Sequence, residues 1–208
     1  MTRASFNGTA TQKRGAVGAS EYAAGEIILF PGAADNLYRL KSGLIRLHSV
    51  DQGGYGVTLR YVKPGGYFGE EAFTNRRRRY FAEAVTDSTT EPVLVDKLNR
   101  QGLLEIATFL AGNLEQMNSS LLRLASKPLR ARIAAELLEL ADSALAGRTD
   151  SGERVVYLTH DDMAAAVGSV RETVTKVIGD MARSGALRAG YGKIVVLDQE
   201  QLAEMAGN

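Results

Sequence analysis

The sequence contains no cysteine, and its only histidines are His48 and His160. Without cysteine there is no disulfide, no thiolate metal site and no cysteine-held iron–sulfur cluster. Two histidines are too few for a histidine-rich metal centre. No apolar run approaches the roughly 18–20 residues of a membrane span. The N-terminus has no signal-peptide apolar core. A cytoplasmic protein with no membrane partner is therefore expected. Net charge is only +1, so any affinity for nucleic acid must come from a local patch rather than a global basic field. No nucleophile–base pair stands at a recognisable spacing, and no glycine-rich phosphate loop precedes a helix. An enzyme is not expected.

What the chain does have is concentrated between Leu158 and Leu197. Thr159 is a helix N-cap candidate, and Met163 and Val167 lie four apart on one face. Gly168 supplies the positive φ that a tight turn between helices needs. Ser169 and Glu172 have the spacing of a capping box, so a second helix is expected to start there. Along it Val170, Val174, Val177 and Met181 form an apolar stripe. At about 100° per residue, Glu172, Thr175, Lys176 and Gly179 fall opposite, with Arg171 at the border. In isolation this is also the pattern of an ordinary amphipathic helix with a solvated charged face. The flanks add meaning. Ser184-Gly185 stops the helix, and Ala186 to Leu197 reads as a hairpin around Gly190-Tyr191-Gly192. Helix, turn, helix and hairpin together predict a winged helix-turn-helix, with Arg188 and Lys193 placed to meet phosphates.

Upstream the chemistry changes. Short β-rich pieces span Glu26 to Phe30, Leu37 to Lys41, Leu44 to Val50, Gly56 to Val62, Tyr80 to Thr86 and Glu91 to Asp96. Turn signals fall at Pro31-Gly32, Ser42-Gly43, Gly53-Gly54 and Pro64-Gly65-Gly66. Such spacing predicts an antiparallel sandwich or barrel of jelly-roll type over 20–98. Residues 1–19 read as a disordered tail, or as a basic arm through Lys13 and Arg14. Over 99–126 the period becomes helical. Leu103, Ile106, Leu110, Leu114, Met117, Leu121 and Leu124 form a heptad-like seam that can serve its own β-roll, a twin helix or both. Ser126-Lys127-Pro128 breaks that helix, and 127–208 forms the last unit, ending in a short helix from Gln199. The expected fold class is α+β.

VGSVRETVTKVI followed by GALRAGYGKIVV resembles the DNA-binding end of the CRP/FNR regulators, whose pattern is a turn glycine, two small residues and Arg-Glu-Thr-Val. The LYRLKSGLIRL and PGGYFGEEAF runs are similar to the cyclic-nucleotide-binding β-roll of the same family. The resemblance implies a homodimeric transcription regulator, an activator contacting RNA polymerase, with 99–126 as dimerisation helix. It implies double-stranded DNA read by Arg171, Glu172 and Lys176, Lys176 standing where many members carry a second Arg. His160, Ser169, Thr173, Thr175, Arg188 and Lys193 would hold phosphates or support the reading residues. The absence of cysteine excludes the family's oxygen-sensing branch.

In nucleotide-binding members the roll carries Gly-Glu-Leu, then Arg-Ser, with a Thr-Ser pair on the dimer helix. Here Gly69 and Glu70 match, Glu71 replaces Leu, Arg78 matches the phosphate arginine and Arg79 replaces the hydroxyl. Met117 and Asn118 replace Thr-Ser. Arg79 would crowd a phosphate cradle, and a second acid would repel the phosphate. Two readings stand. Either the Arg76–Arg79 run pairs internally with Glu70 and Glu71 in place of a ligand, or it takes an anionic effector, cAMP or another. The first predicts no cofactor. An interaction module whose helix-turn-helix contacts protein is the reading from another class.

Overall fold

The structure, a computed structural model, describes residues 18–34, 36–51 and 56–207. The expected tail falls almost wholly outside them, and so does the Gly53-Gly54 turn. The chain opens with β1 (Ser20–Tyr22), β2 (Ile27–Leu29), β3 (Leu37–Ser42), β4 (Ile45–Val50) and β5 (Gly56–Val62). These are followed by β6 (Tyr67–Phe68), β7 (Phe81–Ala84) and β8 (Ser88–Val93). They form two four-stranded antiparallel sheets, ordered β1-β8-β3-β6 and β2-β7-β4-β5. Alternation along the strands turns Leu40, Ile45, Leu47, Val62, Phe68 and Ala82 inward to a shared core, as expected of two sheets packed face to face.

Two strand boundaries differ from expectation. The segment expected at Glu91 to Asp96 starts earlier, because Ser88 already pairs with Tyr22 of β1. The chain then leaves the sheet as a short 3-10 helix, Val95–Lys97. The segment expected at Tyr80 to Thr86 is extended only over β7, where it lies between β2 and β4. Glu70 and Glu71 do not alternate on a strand. They open a second short 3-10 helix, Glu70–Phe73.

Helix α1 (Arg100–Ser126) starts where the Asn99 side chain accepts the Gly102 N–H at 2.8 Å. The seam along it divides. Ile106 is buried against Leu37 and Tyr67 of its own roll, with Leu110 packed beside it. Ile106 is therefore not available to a twin helix. Leu103, Leu114, Met117, Leu121 and Leu124 are exposed, and Leu104 and Leu122 widen this apolar face.

The last unit contains α2 (Leu129–Leu140), β9 (Ala146–Arg148), β10 (Arg154–Val156), α3 (His160–Val167) and α4 (Arg171–Arg183). It ends with β11 (Leu187–Gly190), β12 (Lys193–Val196) and α5 (Gln199–Ala206). Its sheet runs β11-β12-β10-β9. Ile133, Leu137, Met163, Ile178, Met181 and Leu202 form its centre, so the terminal helix closes the core over α2. Leu44 of the roll is buried in this same cluster, and Tyr61 and Val85 pack against it. Arg46 adds a polar bridge between the two regions, 2.7 Å from Glu83 and 2.6 Å from Asp162. Among the described residues, no helix is long and apolar enough to cross a membrane.

Candidate functional site

The first helix of the helix-turn-helix is fixed by a reciprocal cap. The Thr159 hydroxyl accepts the Asp162 N–H at 3.1 Å, and the Asp162 carboxylate accepts the Thr159 N–H at 3.1 Å. Burial pushes the Asp162 carboxyl up. The Thr159 hydroxyl and N–H and the Arg46 guanidinium outweigh it and hold the group below the ordinary aspartate value.

Helix α3 ends on Gly168 at φ 61°, the left-handed region that glycine occupies without strain. The Ser169 N–H is spent closing α3, on the Ala164 carbonyl at 3.0 Å. That N–H is not free for Glu172, and α4 starts one residue later than expected, so the expected capping box at Ser169 and Glu172 does not form. Val170 is the N-cap residue of α4, in extended conformation and with no side-chain cap.

Helix α4 buries Val174, Ile178 and Met181. Relative to the expected stripe, Ile178 takes the buried place, while Val177 is half-buried and Val170 exposed. Arg171, Glu172, Thr173, Thr175 and Lys176 are all exposed. Two helices are thus held at one end by their polar groups. His160 Nδ1 lies 2.9 Å from Thr175 Oγ1, and Arg171 Nη1 lies 3.4 Å from Asp161 Oδ2. The wing is the hairpin β11–β12, turning at Tyr191-Gly192, with Lys193 exposed. Arg188 is paired with Glu153 at 2.7 Å, and Glu153 also accepts from Ser151 at 2.9 Å. These bonds hold the Glu153 carboxyl below its ordinary value, the Arg188 bond first.

The pocket-like segment of the roll is organised differently. Gly69 has φ 84°, and a Cβ there would stand 2.6 Å from the Asn36 carbonyl oxygen, so only glycine fits. Glu70 pairs with Arg60 of β5 at 2.8 Å, not with the arginine run. Glu71 accepts the Tyr80 hydroxyl at 2.9 Å and stands 3.8 Å from Arg78 Nε. Burial pushes the Tyr80 phenol up, and the charges of Glu70 and Glu71 push it further. Of the four arginines, only Arg78 is buried; its Nη1 donates to the Phe30 carbonyl at 3.3 Å. Arg76, Arg77 and Arg79 are exposed. Met117 and Asn118 are exposed on α1.

Arg60, Tyr80 and Asp161 are not among the residues that the sequence singles out. A signal for Arg60 exists. On a strand it shares a face with Val62, which is buried, so its guanidinium needs an inward acid.

The description "Cyclic nucleotide-binding domain" matches residues 19–99, and "Crp-like helix-turn-helix domain" matches residues 131–205. The transcriptional regulator SdrP of Thermus thermophilus is 48% identical over 188 residues, 89% of this chain and 92% of its own length. The cyclic AMP receptor protein of the same organism is 29% identical over 194 residues, 89% of this chain and 86% of its own. A crystal structure of a CRP/FNR-family transcriptional regulator from that organism has a TM-score of 0.88 at 46% identity, covering 92% of this chain and 99% of its own.

Proposed function

Since the chain belongs to the CRP/FNR family of transcriptional regulators, and so is a helix-turn-helix protein and not an enzyme, we propose that it acts as a cytoplasmic homodimer that needs no cAMP. Its exposed α1 face, Leu114, Met117, Leu121 and Leu124, supports the dimer. An apolar stripe of that size on one helix is the seam a parallel partner covers. Two copies of α4 would enter successive major grooves of a two-fold site, about 34–36 Å apart. Arg171, Glu172 and Lys176 read bases. Thr173 and Lys193 hold phosphates, while His160, Ser169, Thr175 and Arg188 support them, His160 through Thr175 and Arg188 through Glu153. Activation proceeds through contact with RNA polymerase.

The observation that carries independence from cAMP is the Arg60–Glu70 pair. In the nucleotide-binding members that the sequence resembles, the matching glutamate meets a ribose. Here its Oε1 is already engaged by a guanidinium from the facing strand, and the neighbouring Glu71 is engaged by Tyr80. One oxygen of each acid is therefore met by a donor of the chain itself, while Glu70 Oε2 and Arg78 Nε are buried without a hydrogen bond among the described residues. The exposed Arg76, Arg77 and Arg79 favour a second reading, an anion gate on the rim of the roll.

The reading helix is tested by Arg171→Ala on a set of duplexes in which each half-site base pair is changed in turn. Discrimination falls at one base pair by about 1–3 kcal/mol, the worth of a bidentate arginine–guanine contact. Equal weakening on every sequence would make Arg171 a phosphate contact and remove its base-reading role.

A further inference from the structure

The first turn of α3 holds two adjacent acids with different surroundings. Asp162 caps its helix and receives Arg46. Asp161 takes part in neither, and its ion-pair partner is Arg171, with the two side chains 64% and 63% exposed. An exposed pair of this kind contributes little to folding. A carboxylate beside a DNA-reading arginine is also adverse for affinity, because it faces a phosphate backbone. Its position needs another account.

We propose that Asp161 is a specificity-determining positioning residue that acts through Arg171; this rests on the base-reading role of Arg171. A guanidinium carries five N–H donors in a planar fork. With one edge held by Asp161, the opposite edge remains for guanine O6 and N7. The geometry is kept by the neighbouring contact, His160 Nδ1 to Thr175 Oγ1 at 2.9 Å, which ties the start of α3 to α4 one turn below Arg171. When DNA docks and water leaves, the effective dielectric falls and the Asp161–Arg171 attraction strengthens. Where, on a wrong sequence, Arg171 turns to a phosphate instead of a base, it leaves Asp161. The carboxylate is then unpaired against the polyanion. Asp161 thus lowers affinity for every duplex and lowers it most for the wrong ones.

The test compares the parent protein with Asp161→Asn, Arg171→Ala and the double variant by equilibrium anisotropy. Three duplexes are used: the two-fold site, the same site with the Arg171-read pair replaced, and a random sequence. Asp161→Asn keeps the side-chain shape and removes the charge. The expected result is tighter binding to the random duplex and a discrimination ratio lowered about tenfold, within the range of one bidentate contact. In the Arg171→Ala background the same change leaves the ratio unaltered. A ratio preserved in Asp161→Asn but lost in Arg171→Ala overturns the positioning role and leaves base reading intact. An equal loss in both backgrounds means that Asp161 acts through another group, which also overturns it. A ratio preserved in Arg171→Ala removes the base-reading premise itself.

Discussion

In the β-roll, Arg60 and Glu70 meet at 2.8 Å with their side chains 10% and 31% exposed; at the start of α4, Arg171 and Asp161 stand 3.4 Å apart with both side chains mostly in water. The residue types are the same and the environments are opposite. Around Glu70 the polar groups are turned on one another. Arg60 also donates to the Tyr67 carbonyl, and Glu71, Tyr80 and Arg78 complete the set. On α4 the donors of Arg171 and Lys176 face outward, over a core of Val174, Ile178 and Met181 that fixes the helix without using them. A buried ion pair is held in place chiefly because removing one member strands the other. An exposed one is weak until a partner excludes water. Glu70 Oε1 and the Glu71 carboxylate thus have partners within the roll, while Glu70 Oε2 and Arg78 Nε are buried without a hydrogen bond among the described residues; on α4, Arg171 and Lys176 stand exposed.

One substitution type at both ends breaks or sharpens that contrast. Arg60→Ala leaves the Glu70 carboxylate and the Tyr67 carbonyl without their donor and lowers unfolding stability by about 1–3 kcal/mol. The readout is a lower urea midpoint at unchanged slope. Arg171→Ala should leave the midpoint within about 0.5 kcal/mol of the parent, as surface changes do, and move only base discrimination. A stable Arg60→Ala protein would mean that the pair does not hold the roll together.

A smaller effect separates the two helices of the reading head. Thr159→Ala removes a working cap from α3 and costs about 1 kcal/mol. Ser169→Ala removes a side chain that caps nothing and leaves the urea midpoint unchanged. Equal losses would restore the capping box at Ser169 and contradict the extended Val170.

Much of the architecture is legible in the chain. β-rich pieces between turn signals place β3, β4 and β5, the helical period places α1 and α4, and Gly168 marks the turn between the helices. What is not legible depends on competition between neighbours or on distant pairs. Ser169 has the right spacing for a cap, but the helix starts one residue later, so the N-cap residue is Val170, whose side chain has no acceptor, and the Ser169 N–H closes α3 on Ala164 instead. Sequence proximity points Glu70 to the arginine run. Instead it meets Arg60 across the roll, and Arg78 goes to Glu71. Arg46 and Asp162, which join the roll to α3, lie 116 residues apart and share no local pattern. Ile106 shows the same limit from the apolar side. Its heptad position fits a twin helix, yet Leu37 and Tyr67 of its own roll cover it.

In the proposed function the roll needs no nucleotide for the helix-turn-helix to read DNA. This is tested most directly by fluorescence anisotropy of the purified protein on a selected two-fold duplex, with and without cAMP, at two salt concentrations. Tight, sequence-specific binding without nucleotide is the expected result. That binding is unchanged by cAMP and weakens steeply with salt, as phosphate neutralisation requires. Binding that appears only when cAMP is added would contradict it, because Glu70 would then have to leave Arg60 for the ligand.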